Sequence, residues 1–163
     1  MRHVLVVDHQ PQLCTLVRHT LERTGKYRVS CAGTGEQALP VLDRDRPNLV
    51  VLDILMPGMP GIELAAHATE RSIPIIATTD ERDIDERLSR LGWSYLAKPF
   101  RLERLLDECA ATIAETQENL RIVNASIARL LATTGDVKDM VAKLHALRAH
   151  VGATLEASRR LRH

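Results

Sequence analysis

Hydrophobic positions follow two alternating patterns over the first hundred residues. Short, mostly apolar runs alternate with longer stretches in which apolar residues recur every three or four positions. Uninterrupted apolar runs are typical of parallel strands buried on both faces, and the longer spacing is typical of amphipathic helices. We therefore predict repeated β-α units. Continuous runs give strands over residues 3–7, 48–52 and 74–78, and weaker patterns give strands over residues 27–31 and 94–97. Helices are predicted over residues 11–23, 35–45, 62–71 and 81–91.

The pattern changes after residue 100, where helix-forming residues continue without Gly or Pro from Arg101 to Thr134. Apolar or near-apolar side chains recur there in steps of four and three, which is the heptad spacing of a coiled coil. A similar spacing resumes at Val137 after a short break, so we interpret the two stretches as an antiparallel helical hairpin. The first seam consists of Leu102, Leu106, Cys109, Ile113, Thr116, Leu120, Val123, Ile127 and Leu130.

A two-helix hairpin buries little apolar surface by itself. We therefore expect two copies of the chain to pair through it as a homodimer. Two alternatives stay open: the hairpin packs against the domain that precedes it in the same chain, or its second helix is detached and frayed.

Composition narrows the class of protein. The chain has 163 residues, 45% of them hydrophobic, and a formal net charge of +1, so we expect neither DNA nor an anionic membrane as a partner. No apolar run approaches the roughly 20 residues that span a bilayer, and no signal peptide is evident, so we expect a cytoplasmic protein. The three cysteines, Cys14, Cys31 and Cys109, are widely spaced in apolar contexts, which argues against a disulfide framework and a thiolate zinc site.

Polar side chains follow four of the five predicted strands at the point where each strand ends. The carboxyl ends of parallel strands meet at one edge of such a sheet, where ligands bind. Two carboxylates, a hydroxyl and an ammonium at that edge form a site suited to a divalent cation and a phosphoryl group. The polar residues that follow the four strands are Asp8 and His9, Asp53, Thr79 and Asp80, and Lys98.

The segments VLVVDH, LVVLDILMPGMPGIEL, PIIATTD and YLAKPF, in this order and spacing, resemble the receiver domain of bacterial two-component response regulators. The resemblance covers about residues 2–115. It implies an α/β fold, a flavodoxin-like doubly wound sheet of five parallel strands in the order 2-1-3-4-5. We expect a receiver domain over residues 1–115 and a helical, dimerising extension over residues 116–163.

The resemblance also implies a role for each matched residue. Asp53 would be the phosphoacceptor, receiving its phosphoryl group from a sensor histidine kinase or a phosphotransfer protein, in a signalling protein that is not an enzyme. Lys98 would offset the charge, and Thr79 would donate its hydroxyl to the phosphoryl oxygens. Movement of Thr79 would let Tyr95 swing inward as a switch.

A metal ion and three loop residues complete what the resemblance implies. Mg²⁺ or Mn²⁺ would be held by Asp8, by Asp53 and by the backbone carbonyl of Leu55. Pro57 and Gly58 would shape the loop after Asp53. Pro99 would follow a cis peptide bond that aims Lys98 at the site.

Two residues depart from the family's pattern. His9 stands where a second acid is usual, so Mg²⁺ binding should be weakened, although imidazole also binds softer metals. Asp80 stands where the family usually has a small residue. Its carboxylate would oppose the phosphate, replace the metal ligand lost at His9, or point outward and cap the following helix.

Two other functions remain alternatives. The chain could be a pseudo-receiver scaffold whose surface recruits partners without phosphate. The string from His145 to Ala149 loosely resembles the phosphoacceptor stretch of histidine phosphotransfer domains, which would make His145 a second phosphoacceptor in a helical bundle.

Overall fold

The computed structural model describes residues 1–80, 93–133 and 141–148. The predicted helix over residues 81–91 and the start of the second C-terminal helix lie outside the described residues. The strands are β1 (Arg2–Val7), β2 (Tyr27–Ala32), β3 (Leu49–Asp53), β4 (Ile75–Thr79) and β5 (Ser94–Ala97). The helices are α1 (Pro11–Glu22), α2 (Gly35–Asp45), α3 (Gly61–Glu70) and α4 (Leu102–Thr133), and residues 141–148 are also helical.

The five strands form one parallel sheet in the order β2-β1-β3-β4-β5, which confirms the predicted fold. The register of neighbouring strands sets which residues meet at its carboxyl edge. Val7 lies opposite Leu52 in β3, Asp53 lies opposite Thr78 in β4, and Thr79 lies opposite Ala97 in β5. The residues that follow these positions therefore project from the same edge of the sheet.

The hydrophobic core lies on both faces of the sheet, as continuous apolar strands require. In β1, Leu5 and Val7 belong to a cluster that includes residues of α2 and α3, whereas Val4 and Val6 belong to a cluster that includes residues of α1 and α4. Alternate side chains of one strand thus serve opposite layers. Each fully buried Leu or Val contributes about 1.5–3 kcal/mol relative to an exposed one.

The cysteine prediction is wrong for one pair. Cys14 of α1 and Cys31 of β2 form a disulfide, with their Cα atoms 6.2 Å apart. Their 17-residue separation along the chain gave no sign of this contact, because it arises only when the buried face of α1 packs beside β2. Cys109 is free and buried, and burial together with the negative charge of Glu108 raises the pKa of its thiol to about 12.

The chain forms two compact units, Met1–Ile113 and Ala114–His163. In the second unit, two apolar side chains of α4 are half exposed: Leu120 at 52% and Ile122 at 48%. Leu120 is a position of the predicted heptad seam, and Ile122 is not. None of the helices in the described ranges is long and apolar enough to cross a membrane.

Candidate functional site

Two buried carboxylates meet at the carboxyl edge of the sheet. Asp8 directly follows β1, Asp53 ends the adjacent β3, and the two residues are only 3% and 1% exposed. The backbone orients both side chains. The amide of Gln10 donates to Oδ1 of Asp8 at 2.8 Å, and the amide of Leu55 donates to Oδ1 of Asp53 at 3.0 Å. The Oδ2 atom of each carboxylate is left for another partner.

That partner is Lys98, the residue after β5. Its Nζ donates to Oδ2 of Asp8 at 2.8 Å and to Oδ2 of Asp53 at 3.0 Å. Its own amide donates to the carbonyl of Thr79 at 2.7 Å, and the Lys98–Pro99 peptide bond is cis, as the resemblance implies. Burial by itself would lower the pKa of Lys98, but the hydrogen bonds and charges of the two carboxylates raise it above its ordinary value. Lys98 is therefore a fixed cation between two fixed anions.

His9 completes the cluster on the solvent side. Its Nδ1 lies 3.1 Å from Oδ2 of Asp53 and 4.0 Å from Oδ1 of Asp8, and the side chain is 38% exposed. Asp8, His9 and Asp53 each offer one ligand atom, and the three atoms lie within 4.8 Å of one another. Two carboxylates and an imidazole in this arrangement could hold a divalent metal ion.

Three other predicted site residues, Thr79, Tyr95 and Asp80, lie at the end of β4, within β5 and directly after β4. Thr79 ends β4 and is fully buried, and Tyr95 of β5 is half-buried against the same core cluster as Trp93. Asp80 is exposed, and it does not belong to the metal-binding group found among the described residues. The predicted movement of Thr79 and Tyr95 remains a prediction, and part of the face it would alter lies at residues 81–92, outside the described residues.

The loop after Asp53 is held by contacts that the sequence did not reveal. Gly58 has a φ of +85°, which favours glycine, and follows Pro57. Beyond it, the amide of Met59 donates to Oε1 of Glu36 at 3.1 Å. Gly61 then begins α3 directly against the backbone of Asp53. The sequence signal that could have identified Gly61 is a glycine directly before the predicted helix over residues 62–71.

A Cβ atom at Gly61 would lie 2.7 Å from the carbonyl oxygen of Asp53 and 2.7 Å from Cα of Ile54. These distances are shorter than real Cβ contacts, and both neighbours are backbone atoms that cannot rotate away. The absence of a side chain at Gly61 therefore lets α3 start beside the strand end that presents Asp53.

His145 is exposed within the helical residues 141–148 and belongs to the second compact unit. Asp53 belongs to the first compact unit. The phosphotransfer interpretation of His145 stays a prediction.

Comparison with known proteins agrees with this architecture. The family model described as "Response regulator receiver domain" matches residues 4–110. Response regulator MprA of Mycolicibacterium vanbaalenii is 36% identical over 118 residues, which cover 69% of this chain and 51% of that protein. The probable transcriptional regulatory protein TcrX of Mycobacterium tuberculosis is 30% identical, over 69% of this chain and 50% of that protein. The chain thus spans about half the length of these relatives.

Solved structures with similar folds include two that are 30% identical to this chain. One is response regulator TrrA of Thermotoga maritima in complex with Mg²⁺ and BeF, with a TM-score of 0.62 over 69% of this chain and 99% of that one. The other is the chemotaxis protein CheY4 of Vibrio cholerae, with a TM-score of 0.62 over 69% and 98%. Given the sheet order, the clustered acids and lysine, and a family match over most of residues 1–113, the chain belongs to the response regulator receiver family.

Proposed function

We propose that this protein accepts a phosphoryl group on Asp53 from a phosphohistidine of a sensor histidine kinase or phosphotransfer protein. It then signals through contacts with other proteins. The observation that carries the proposal is the position of Lys98 Nζ, 2.8 Å from Asp8 and 3.0 Å from the acceptor carboxylate of Asp53. This places a buried cation where negative charge increases during transfer.

The chemistry follows from the carboxylate. An oxygen of Asp53 attacks phosphorus, the P–N bond of the phosphohistidine breaks, and its electron pair returns to the imidazole of the donor. The product is an acyl phosphate, whose lability allows water to erase the signal. Phosphoryl transfer needs chiefly in-line placement and neutralisation of the phosphoryl oxygens. Lys98 supplies one positive charge, and the buried hydroxyl of Thr79 at the end of β4 supplies a donor.

A divalent cation belongs to the same proposal. The carboxylates of Asp8 and Asp53 and the carbonyl of Leu55 would hold Mg²⁺ or Mn²⁺, which when bound supplies two more positive charges to the phosphoryl oxygens. The related TrrA was solved with Mg²⁺ and BeF, which supports this assignment. Asp80 is exposed and outside the cluster, which supports a role as a surface or helix-capping residue rather than a metal ligand.

The direct test is phosphorylation by a small-molecule phosphodonor such as acetyl phosphate with Mg²⁺ or Mn²⁺. Intact-mass measurement of the wild type should show the addition of one phosphoryl group, and Asp53→Asn should show none, because an amide cannot form the acyl phosphate. His145→Ala should keep the adduct. Far-UV circular dichroism of each variant checks that it is folded.

Two outcomes would contradict the proposal. A wild type that never gains the adduct with any divalent ion would favour a phosphate-independent scaffold. A label retained in Asp53→Asn but lost in His145→Ala would favour the phosphotransfer interpretation. Beryllofluoride gives an independent measurement, because in a working receiver it should change the fluorescence of Trp93, which packs in the same cluster as Tyr95.

We also propose that the helical extension pairs two copies of the chain and that its partners are proteins rather than DNA. Leu120, a seam position of α4, is 52% exposed, which leaves apolar surface for a second copy to cover. Residues 101–163 carry 10 Lys and Arg and 8 Asp and Glu, so this part of the chain has no strong positive charge to attract phosphates.

Sedimentation of the full chain tests the pairing. At concentrations on the order of tens of micromolar the wild type should sediment as a dimer, and Leu120→Glu should shift it to monomer by burying a charge in the interface. Ala125→Glu is the matched control, because this exposed residue of α4 lies at the f position of the heptad, on the side of the helix away from the seam. A monomeric wild type, or a dimer that survives Leu120→Glu unchanged, would contradict the pairing and favour a hairpin that packs within its own chain.

A further inference from the structure

The imidazole of His9 is close enough to both acids to share one ion with them. Two ligand atoms bound to the same ion at about 2.1 Å lie about 3.0 Å apart in octahedral geometry and about 3.4 Å apart in tetrahedral geometry. Nδ1 of His9 is 3.1 Å from Oδ2 of Asp53 and 4.0 Å from Oδ1 of Asp8. The first distance already fits, and the second requires a side-chain movement of about 1 Å or less.

The lysine shares an oxygen with His9 at Asp53 but not at Asp8. Nζ of Lys98 lies 3.0 Å from Oδ2 of Asp53, the atom that Nδ1 of His9 faces at 3.1 Å, and the second lone pair of that oxygen remains for a metal ion. Lys98 approaches Asp8 at Oδ2, whereas His9 faces Oδ1 of the same carboxylate. Oδ1 also accepts the amide of Gln10, but a carboxylate oxygen has two lone pairs and can take a second partner. Because His9 is 38% exposed, the solvent side remains open for water or a phosphoryl oxygen to complete the coordination.

This donor set disagrees with the metal that the family implies. Mg²⁺ prefers oxygen ligands in near-ideal octahedral geometry and binds through carboxylates and water. Imidazole nitrogen favours the borderline first-row ions, whose affinity for such sites rises from Mn²⁺ through Co²⁺ and Ni²⁺. We propose that the group Asp8, His9 and Asp53 selects a borderline divalent cation such as Co²⁺, Ni²⁺ or Zn²⁺ over Mg²⁺, and that His9 sets this selectivity.

The charges around Asp53 favour an uncharged ligand at position 9, whichever divalent cation is bound. Once Asp53 carries a dianionic phosphoryl group, the site holds three negative charges, two on the phosphoryl group and one on Asp8. Lys98 and a divalent cation together supply three positive charges, so the net charge is zero. A second acid at position 9 would leave one excess negative charge, so neutral imidazole keeps a nitrogen ligand without adding repulsion. The inference rests on the proposed function and refines it: Mg²⁺ or Mn²⁺ would still bind at Asp8 and Asp53, but more weakly than a borderline cation that also binds His9.

The experiment compares ions on the metal-free full chain without any phosphodonor. Calorimetric titrations with Mg²⁺ and Co²⁺ give the ratio of the two affinities for wild type and His9→Asp, and the visible absorption of Co²⁺ reports nitrogen coordination. Replacing His9 by Asp restores oxygen donors, so the preference for Co²⁺ over Mg²⁺ should fall on the order of tenfold or more, and the Co²⁺ spectrum should change. His19→Asp is the matched control, because His19 is an exposed histidine of α1 and should leave both readings unchanged.

Two results would overturn the inference. One is an affinity ratio and a Co²⁺ spectrum that His9→Asp leaves unchanged. The other is a Co²⁺ signal that falls equally in His19→Asp, which would identify binding by surface histidines. Because no phosphoryl group is present, these readings stand whether or not Asp53 is phosphorylated in the separate mass experiment.

Discussion

Replacing Lys98 with methionine is expected to slow phosphorylation of Asp53 by about 10²–10³-fold, the usual cost of removing one preorganised charge from a transfer site. Nζ of Lys98 already lies 3.0 Å from Oδ2 of Asp53, so no reorganisation is needed when negative charge develops there. Methionine keeps the approximate length of the side chain and removes the cation. The rate of appearance of the phosphorylated mass with a fixed concentration of acetyl phosphate measures the effect.

The same substitution should destabilise the fold. Asp8 and Asp53 are 3% and 1% exposed, and without Lys98 two carboxylates would be buried side by side with no lysine between them. Breaking a buried ion pair by removing one partner costs about 3–5 kcal/mol. Urea denaturation at pH 7 should show a lower free energy of unfolding for Lys98→Met, and Lys26→Met, at an exposed position, should show little change.

The pH dependence of this difference has a definite sign. The folded protein holds the pKa of Lys98 above the ordinary value of 10.5, so Lys98 binds its proton more tightly in the folded state. The stabilisation is fully present below pH 10.5 and is lost as the pH rises through the folded-state pKa. A difference between wild type and Lys98→Met that stays constant across alkaline pH, or equal phosphorylation rates in the two proteins, would contradict the role given to Lys98.

Gly61→Ala is expected to cost about 1–3 kcal/mol of stability, as overpacking of a well-packed site does. The added methyl group would lie 2.7 Å from the carbonyl oxygen of Asp53 and 2.8 Å from that of Ile54, so the start of α3 or the end of β3 must shift. Because Asp53 lies in the displaced segment, phosphorylation should slow as well. Urea denaturation and the mass assay measure the two effects.

Gly33→Ala is the matched control for this prediction. A Cβ atom there would meet only Oε1 of Gln37, at an ordinary 3.5 Å, so stability and phosphorylation should stay close to those of the wild type. If Gly61→Ala were as stable and as reactive as Gly33→Ala, the close approach of α3 to the strand end would have no role in presenting Asp53.

Local patterns were sufficient to predict most of the fold. The apolar runs identified β1, β3 and β4 to within one residue of the observed limits, because a strand covered on both faces requires apolar residues at nearly every position. The weaker patterns of β2 and β5, which contain polar residues, also gave limits within one residue of those observed. The first, second and third helices were equally clear from their spacing and from Pro11 at the start of α1. The clustering of Asp8, Asp53 and Lys98 was also predictable, since the ends of parallel strands meet at one edge.

Tertiary structure decided the contacts between elements that are distant along the chain. The disulfide of Cys14 and Cys31 depends on how α1 packs beside β2, which no spacing of cysteines reveals. The need for glycine at position 61 depends on the approach of α3 to the backbone of Asp53. The orientation of His9 toward Asp53 and the exposure of Asp80 depend on loop conformation. Thus the periodicity of the sequence determined which residues form each strand and helix, and which edge of the sheet carries the polar site residues. The distances between those residues and the directions of their side chains were decided by tertiary structure, because they depend on how the helices pack against the sheet.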